Sequence, residues 1–259
     1  PVRQTIMDLF AHGAQRAPRV PLATRMRPQT LDEMVGQSAL LAVGSPLRTA
    51  IERDRLPSCL FHGPPGTGKS TLARGIAAAA GQPLAEVSAP LLRDRTTLVR
   101  LLAGLAPGSV LFLDEAHALP PTLLDALLEA MAEGRLSLVL SDGVFARNIT
   151  LRLPAFTLVA ATTDAGAILP ALRSRFGLRE ALGHYDDGTL AEVVRGAAAK
   201  AGAEATPEGA LRLAQAARGT PREALRLLER ALEQGPGVLH LDPHGVERLL
   251  ARLGYDGEG

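Results

Sequence analysis

The chain has 259 residues, enough for one large α/β domain or two modest domains with a sizeable core. Its 28 Lys and Arg against 27 Asp and Glu leave a formal net charge of +1, which excludes a protein that coats nucleic acid by charge alone; a DNA contact has to be local or delegated to a partner. A lone cysteine, Cys59, excludes a disulfide framework and a cysteine-rich zinc site and suits a reducing cytoplasm, and no apolar run of about 18 residues offers a membrane span.

Residues 1–20 carry no motif. They open on Pro1 without a methionine, as a trimmed chain would, show no secretory pattern, and with Arg16, Pro18 and Arg19 suggest a flexible lead-in. Order is expected from Pro21. Between about Ser58 and Arg179, apolar runs alternate with helical patterns: Leu60-Phe61, Val110-Leu111-Phe112-Leu113, and Phe156 through Ala161. Apolar strands without alternation are buried on both faces, as in a parallel sheet covered by helices. Leu123, Leu124, Leu127, Leu128 and Met131 form one face of a helix opened by Pro121. One insertion breaks this rhythm. Leu136, Leu138 and Leu140 alternate, as do Ile149, Leu151 and Leu153, with Asp142-Gly143 between them, which predicts a β-hairpin near 136–153. Its tip carries Val144 and Phe145, odd choices for an exposed loop. From about Asp186 the pattern is wholly helical. Thr206-Pro207 and Thr220-Pro221 read as helix starts, and Thr220 with Glu223 fits a capping box. The expectation is an α/β domain over 21–182, a three-layer parallel sheet with the hairpin insertion, and a small all-α lid over 183–259.

The strongest chemical signal is Gly63-Pro64-Pro65-Gly66-Thr67-Gly68-Lys69-Ser70, a full phosphate-loop pattern between a strand and a helix. Gly63, Gly66 and Gly68 let the backbone wrap a phosphate with its N–H groups turned inward, and the helix beginning near Lys69 adds its positive end. Lys69 is placed to reach the β- and γ-phosphates of ATP, Ser70 to give a hydroxyl to Mg²⁺, and Thr71 to meet the α-phosphate. Next, an apolar strand ends in Asp114-Glu115. Asp114 is the second candidate ligand of Mg²⁺, direct or through water, and Glu115 the group that orients and polarises the attacking water. Thr162 and Thr163 end the following strand, where a hydroxyl can sense the γ-phosphate. Arg175, in Ser174-Arg175-Phe176, is a candidate arginine finger acting in trans, with Arg173 and Arg179 as neighbours. Arg222 falls in the first turn of a helix, where a cation opposes the helix dipole and makes more sense facing a phosphate. His62 and His117 flank these motifs and read as packing or hydrogen-bonding residues; Cys59 reads as core. Aromatics are scarce, with no Trp, two Tyr and six Phe, which argues against a base-stacking platform.

Together these elements resemble the AAA+ ATPases of the clamp-loader and RuvB group. The stretch from Pro21 to Gln37, with Met26 and Arg27, is similar to that group's adenine-side segment, in wording closer to the MgsA/RarA branch. Phe145-Ala146-Arg147, Leu153 through Thr163, and Leu172-Arg173-Ser174-Arg175-Phe176-Gly177 resemble the RuvB hairpin, sensor 1 strand and finger. Tyr185 stands where RuvB places the tyrosine that packs on adenine, and Arg218-Gly219-Thr220-Pro221-Arg222 matches the start of the sensor 2 helix. The resemblance, over residues 21–255, implies an ATP-hydrolysing, ring-forming, hexameric motor for Holliday junctions that binds ATP or ADP with Mg²⁺. It also implies that the hairpin near Val144 and Phe145 docks a RuvA-like junction-binding protein. RuvB proteins carry a C-terminal winged-helix domain that binds DNA, and this chain stops at Gly259, about where that domain would begin. After the Asp-Glu pair, Ala116-His117-Ala118 replaces the Ile-His-Arg usual in RuvB. A clamp-loader-like or MgsA-like assembly switch is the alternative. A protein remodeller would need an aromatic threading loop, and none stands near Pro90–Thr97.

Overall fold

The computed structural model describes residues 20–140, 147–233 and 240–255. The lead-in, the Asp142-Gly143 turn and the hairpin tip with Val144 and Phe145 lie outside them.

Three short helices, α1 (Leu22–Arg25), α2 (Ser38–Leu41) and α3 (Pro46–Glu52), lead to strand β1 (Cys59–His62). The chain then alternates: α4 (Lys69–Ala79), β2 (Leu84–Ser88), α5 (Arg95–Ala103), β3 (Ser109–Asp114) and α6 (Pro121–Glu133). Strands β4 (Arg135–Leu140) and β5 (Arg147–Arg152) interrupt it before β6 (Phe156–Thr162), α7 (Pro170–Arg173) and β7 (Leu178–Ala181). The five main strands form one parallel sheet in the order β2-β3-β6-β1-β7. Successive residues of the central strands enter opposite cores. Leu60, Leu111, Leu113, Leu158 and Ala160 face the side covered by α5 and α6. Cys59, Phe61, Val110, Phe112, Val159 and Ala161 face the side covered by α4. Burial on both faces is why these strands carry no polar alternation.

Helix α6 starts at Pro121 and ends where Gly134 turns into the left-handed region at φ +60°, its N–H bonded to Ala130 O at 3.1 Å. The antiparallel pair β4–β5 begins at once, with Leu136 opposite Leu151. Its base is tied down by Ser137, whose N–H and hydroxyl both donate to Glu129 of α6 (2.9 and 2.7 Å) and whose carbonyl accepts from Arg95 of α5 (2.7 Å).

The lid comprises α8 (Asp187–Lys200), α9 (Pro207–Ala216), α10 (Pro221–Leu232) and α11 (Pro243–Arg252) around a core that includes Leu190, Val194, Leu213, Leu228 and Leu249. Leu22 is buried in that same core, and its N–H donates to Glu229 (2.8 Å). The entry segment therefore runs from the lid to the face of α4, where a Cβ at Gly75 would meet Leu31 at 2.8 Å.

Two local expectations give way. The lid is not wholly helical: β8 (Glu204–Ala205) and β9 (His240–Leu241) form a short parallel pair. Thr206 caps α9 as expected, but Thr220 and Glu223 make no capping box. The Thr220 hydroxyl donates back to Ala217 O (3.2 Å), and Glu223 is drawn to Arg226 and the Tyr255 hydroxyl.

Candidate nucleotide-binding site

Strand β1 and the loop behind it set the floor of the site. Gly63 has φ +146°, and a Cβ there would lie 2.1 Å from Leu182 O, so no side chain fits. Gly66 and Gly68 are also in positive φ, and Gly68 stands at the N-cap of α4 with no side-chain cap for the first turn. That leaves backbone N–H groups and the positive end of a helix aimed at one point. Thr67 is fully buried and braces the loop through Pro64 O (2.9 Å). Lys69 is buried too, its Nζ donating to Gly63 O and Pro64 O (2.7 and 2.8 Å). Burial lowers the Lys69 pKa first; Glu115 and Asp114 pull it back up, and Arg222 adds to the lowering.

Two strands end beside this loop. Asp114 closes β3, its Oδ1 accepting the Glu115 N–H at 3.0 Å. Glu115 itself sits at φ +50°, ψ +46°, a left-handed conformation that a non-glycine residue keeps only when its surroundings enforce it. The turn aims its carboxylate toward the end of β6, where the Thr163 hydroxyl donates to Oε2 (3.1 Å). The two threonines divide here. Thr163 is exposed in the cavity. Thr162 is fully buried, donating to Asp164 O and accepting from Asp164 N–H, both at 3.0 Å.

The lid closes the site from the other side. A Cβ at Gly66 would meet Arg222 Cβ at 3.2 Å and Thr220 Cβ at 3.4 Å, so the start of α10 rests on the phosphate loop. Tyr185 lies against Gly36, its N–H bonded to Gly219 O (2.8 Å); burial raises its pKa, partly offset by a hydrogen bond with Gln37. Arg27 has a lowered pKa, first from burial and then from Arg74, with Glu86 opposing and Arg222 adding to the lowering. Guanidinium groups thus gather beside the loop, a setting that favours polyanions.

These parts enclose a cavity of about 330 Å³. Met26, Arg27, Gly66, Gly68, Lys69, Ser70, Thr71, Asp114, Glu115, Thr163, Tyr185 and Arg222, all singled out in the sequence, line it. Three others do not. Gly63 lies below as a carbonyl partner of Lys69, Thr162 is buried behind Thr163, and Arg175 is exposed outside the cavity. Among the described residues the Arg175 side chain makes no hydrogen bond or ion pair, whereas Arg173 is tied to Ala165 O and Ile168 O. Pro28, Met34 and Val35, from the stretch that resembled the adenine-side segment, add an apolar lining, together with Val193 and Leu225, which sequence reasoning missed. The spacing of Val193 and Leu225 is that of ordinary core-facing residues and carries no separate signal. Among the described residues no three His, Cys, Asp or Glu side chains converge on a metal. Ser70 and Asp114 fit Mg²⁺ of the kind that keeps waters and phosphate oxygens as its other ligands.

Comparison with known proteins agrees with this geometry. Residues 26–182 match the family model "Holliday junction DNA helicase RuvB P-loop domain", and residues 185–233 match "RuvB AAA lid domain". The Holliday junction branch migration complex subunit RuvB of Anaeromyxobacter sp. (strain Fw109-5) is 40% identical over 92% of this chain and 71% of its own length. That of Campylobacter fetus subsp. fetus is 42% identical over 79% of this chain and 60% of its own length. The solved Thermotoga maritima RuvB Holliday junction branch migration motor superposes with a TM-score of 0.79 at 32% identity, covering 90% of this chain and 75% of that one. Brucella abortus NtrX in complex with ADP, 19% identical with a TM-score of 0.60, shares the fold alone. The P-loop match begins at residue 26 and takes in residues 26–37 of the segment that resembled the MgsA/RarA branch, and the curated relatives are RuvB subunits, so the clamp-loader alternative is not favoured. A phosphate loop, an Asp-Glu strand end and an arginine-bearing lid around one cavity, in a chain that matches the RuvB P-loop model over residues 26–182 and the RuvB lid model over residues 185–233, place this protein in the RuvB family of AAA ATPases.

Proposed function

We propose that the chain is the ATP-hydrolysing motor module of a RuvB-type Holliday junction branch-migration complex, acting in DNA recombination and repair. The observation that carries this reading is the convergence of Lys69, Ser70, Asp114, Glu115, Thr163 and Arg222 on one cavity between the α/β domain and the lid. The α4 N-terminus and Lys69 hold the phosphates, and Arg222 meets them from the lid. Glu115 orients a water in line with the γ-phosphorus and takes up its proton as the P–O bond to ADP breaks. Ser70 and Asp114 would hold Mg²⁺, which would neutralise phosphate charge when bound.

Arg175 has no role in its own cavity and is exposed, which suits a finger reaching the nucleotide of a neighbour in a hexameric ring. The relatives are named as subunits of a Holliday junction branch migration complex, which supports a RuvA-like partner, branched or duplex DNA as the track, and the cytoplasm as the compartment; the hairpin near Val144 and Phe145 is assigned as the partner's docking point on the family resemblance of its sequence. No helix of the described residues is long and apolar enough to cross a membrane. The test is Glu115→Gln: ATP binding is retained, and turnover falls by about 10²-fold or more, as for loss of a general base. Hydrolysis at the parent rate overturns the assignment.

A further inference from the structure

Glu115 owes its pose to the residues that follow it. Its left-handed backbone turns the chain into a short 3₁₀ turn, Ala116–Ala118, whose Ala116 is buried against the sheet. That turn brings His117 to the end of β6, with Nδ1 2.9 Å from Thr162 Oγ1 and 3.4 Å from Glu115 Oε2. The tautomer with the hydrogen on Nδ1 suits both neighbours of the ring. The single hydroxyl proton of Thr162 goes to Asp164 O, and one lone pair accepts the Asp164 N–H. With the hydroxyl proton so placed, the remaining lone pair is free to accept from Nδ1–H. Glu115 Oε2 agrees, since an unprotonated ring nitrogen would turn its lone pair toward a carboxylate. Thr162 is already bonded twice to Asp164, so the fold does not need the imidazole to satisfy a buried hydroxyl.

We propose that His117 is a positioning residue for hydrolysis: its Nδ1–H bridges Thr162 at the end of β6 and the Glu115 carboxylate, which is thereby held at two points, by His117 and by the Thr163 hydroxyl. The sensor strand and the water-orienting carboxylate then move as one body. This rests on the assignment of Glu115 above, and misplacing such a group by an ångström costs up to about 10²-fold in rate.

The experiment compares His117→Ala, His117→Leu and His117→Asn by steady-state ATP hydrolysis, fluorescent-ATP binding and thermal melting. Leu fills the volume without a donor and stands in if Ala melts early; the Asn Nδ2 sits where the histidine Nδ1 does. Expected is a fall in kcat of about tenfold to 10²-fold in the donor-less variants, with KM and nucleotide affinity nearly unchanged, and recovery of most of the loss by Asn. In a Glu115→Gln background the same changes add no further loss. Unchanged kcat in the donor-less variants, no rescue by Asn in a protein that melts normally, or an additive loss on Glu115→Gln overturns the inference. Parent-level turnover in Glu115→Gln alone overturns the assignment of Glu115, and this inference with it; loss there with none in the His117 variants overturns the inference alone.

Discussion

Tyr185 lies across Gly36 so closely that a Cβ at Gly36 would come within 2.3 Å of its ring. The contact joins the entry segment to the first residues of the lid, and it requires glycine twice, for space and for a φ of +83°. Gly36→Ala therefore pushes the ring off the cavity wall, besides a backbone cost of about 1–2 kcal/mol. Nucleotide affinity is expected to fall by about tenfold, which corresponds to ~1.4 kcal/mol, in a protein that still folds. Titration calorimetry with ADP measures it. Undiminished affinity would remove Tyr185 from the nucleotide wall.

Thr162 and Thr163 are adjacent and alike, yet one is buried in hydrogen bonds and the other faces Glu115. Thr162→Val strands the Asp164 N–H and is expected to cost about 1–3 kcal/mol of stability by denaturant unfolding. Thr163→Val leaves stability within about 0.5 kcal/mol and lowers kcat by roughly tenfold. The reverse pattern would assign the sensing hydroxyl to Thr162.

The three central strands are legible in the sequence because each is apolar on both faces. The edge strands are not. Leu84-Ala85-Glu86-Val87-Ser88 and Leu178-Arg179-Glu180-Ala181 each pair on one side only and carry charged residues, so no apolar run marks them. The polar half of the site is legible for a similar reason: a phosphate loop needs particular residues at fixed spacing. Its apolar half is legible in part, through the stretch that carries Met34 and Val35, while Val193 and Leu225 sit on lid helices whose patterns are those of any packed helix. The capping box at Thr220 fails because both of its side chains have other partners, and one of them, Tyr255, lies 32 residues further along.

Arg175 is exposed and free of partners among the described residues, while Arg173 is committed to two carbonyls of its own chain. An arginine that serves a neighbour predicts complementation. Arg175→Ala keeps an intact cavity but lacks the finger, and Lys69→Ala keeps the finger but lacks the phosphate ligand. Each alone is expected to be nearly inactive, and mixtures are expected to regain a measurable share of ATPase activity. No recovery at any ratio, with assembly intact by light scattering, would place Arg175 outside a shared site.

Cys59 opens β1 and is fully buried, its thiol donating to Pro57 O at 3.0 Å. Burial, with Glu180 adding to it, pushes its pKa from an ordinary value of 9.0 up to about 12. The folded state thus holds the proton over a range where the unfolded chain releases it. This contribution to stability is complete below pH about 9 and declines as the pH rises toward 12. Urea unfolding across that range should show a steeper decline for the parent than for Cys59→Ala, whatever the offset between them. Parallel declines would show that the thiol ionises equally in both states.

The last prediction concerns the hairpin. The described part of it has no contact with the nucleotide cavity: its base is held by Glu129 and Arg95 through Ser137, on the side of the sheet covered by α5 and α6. A two-stranded ribbon anchored so firmly at its root is suited to present its tip to another protein. Val144 and Phe145 in the intervening sequence are apolar, and a partner that fully buries one such side chain gains roughly 1.5–3 kcal/mol. Phe145→Asp is therefore expected to abolish binding to a RuvA-like protein while basal ATPase activity and the melting temperature stay at parent values. Surface plasmon resonance against immobilised partner, run beside the ATPase assay, separates the outcomes. Unchanged affinity would move the docking surface elsewhere, and a fall in melting temperature would show Phe145 to be part of this chain's own packing.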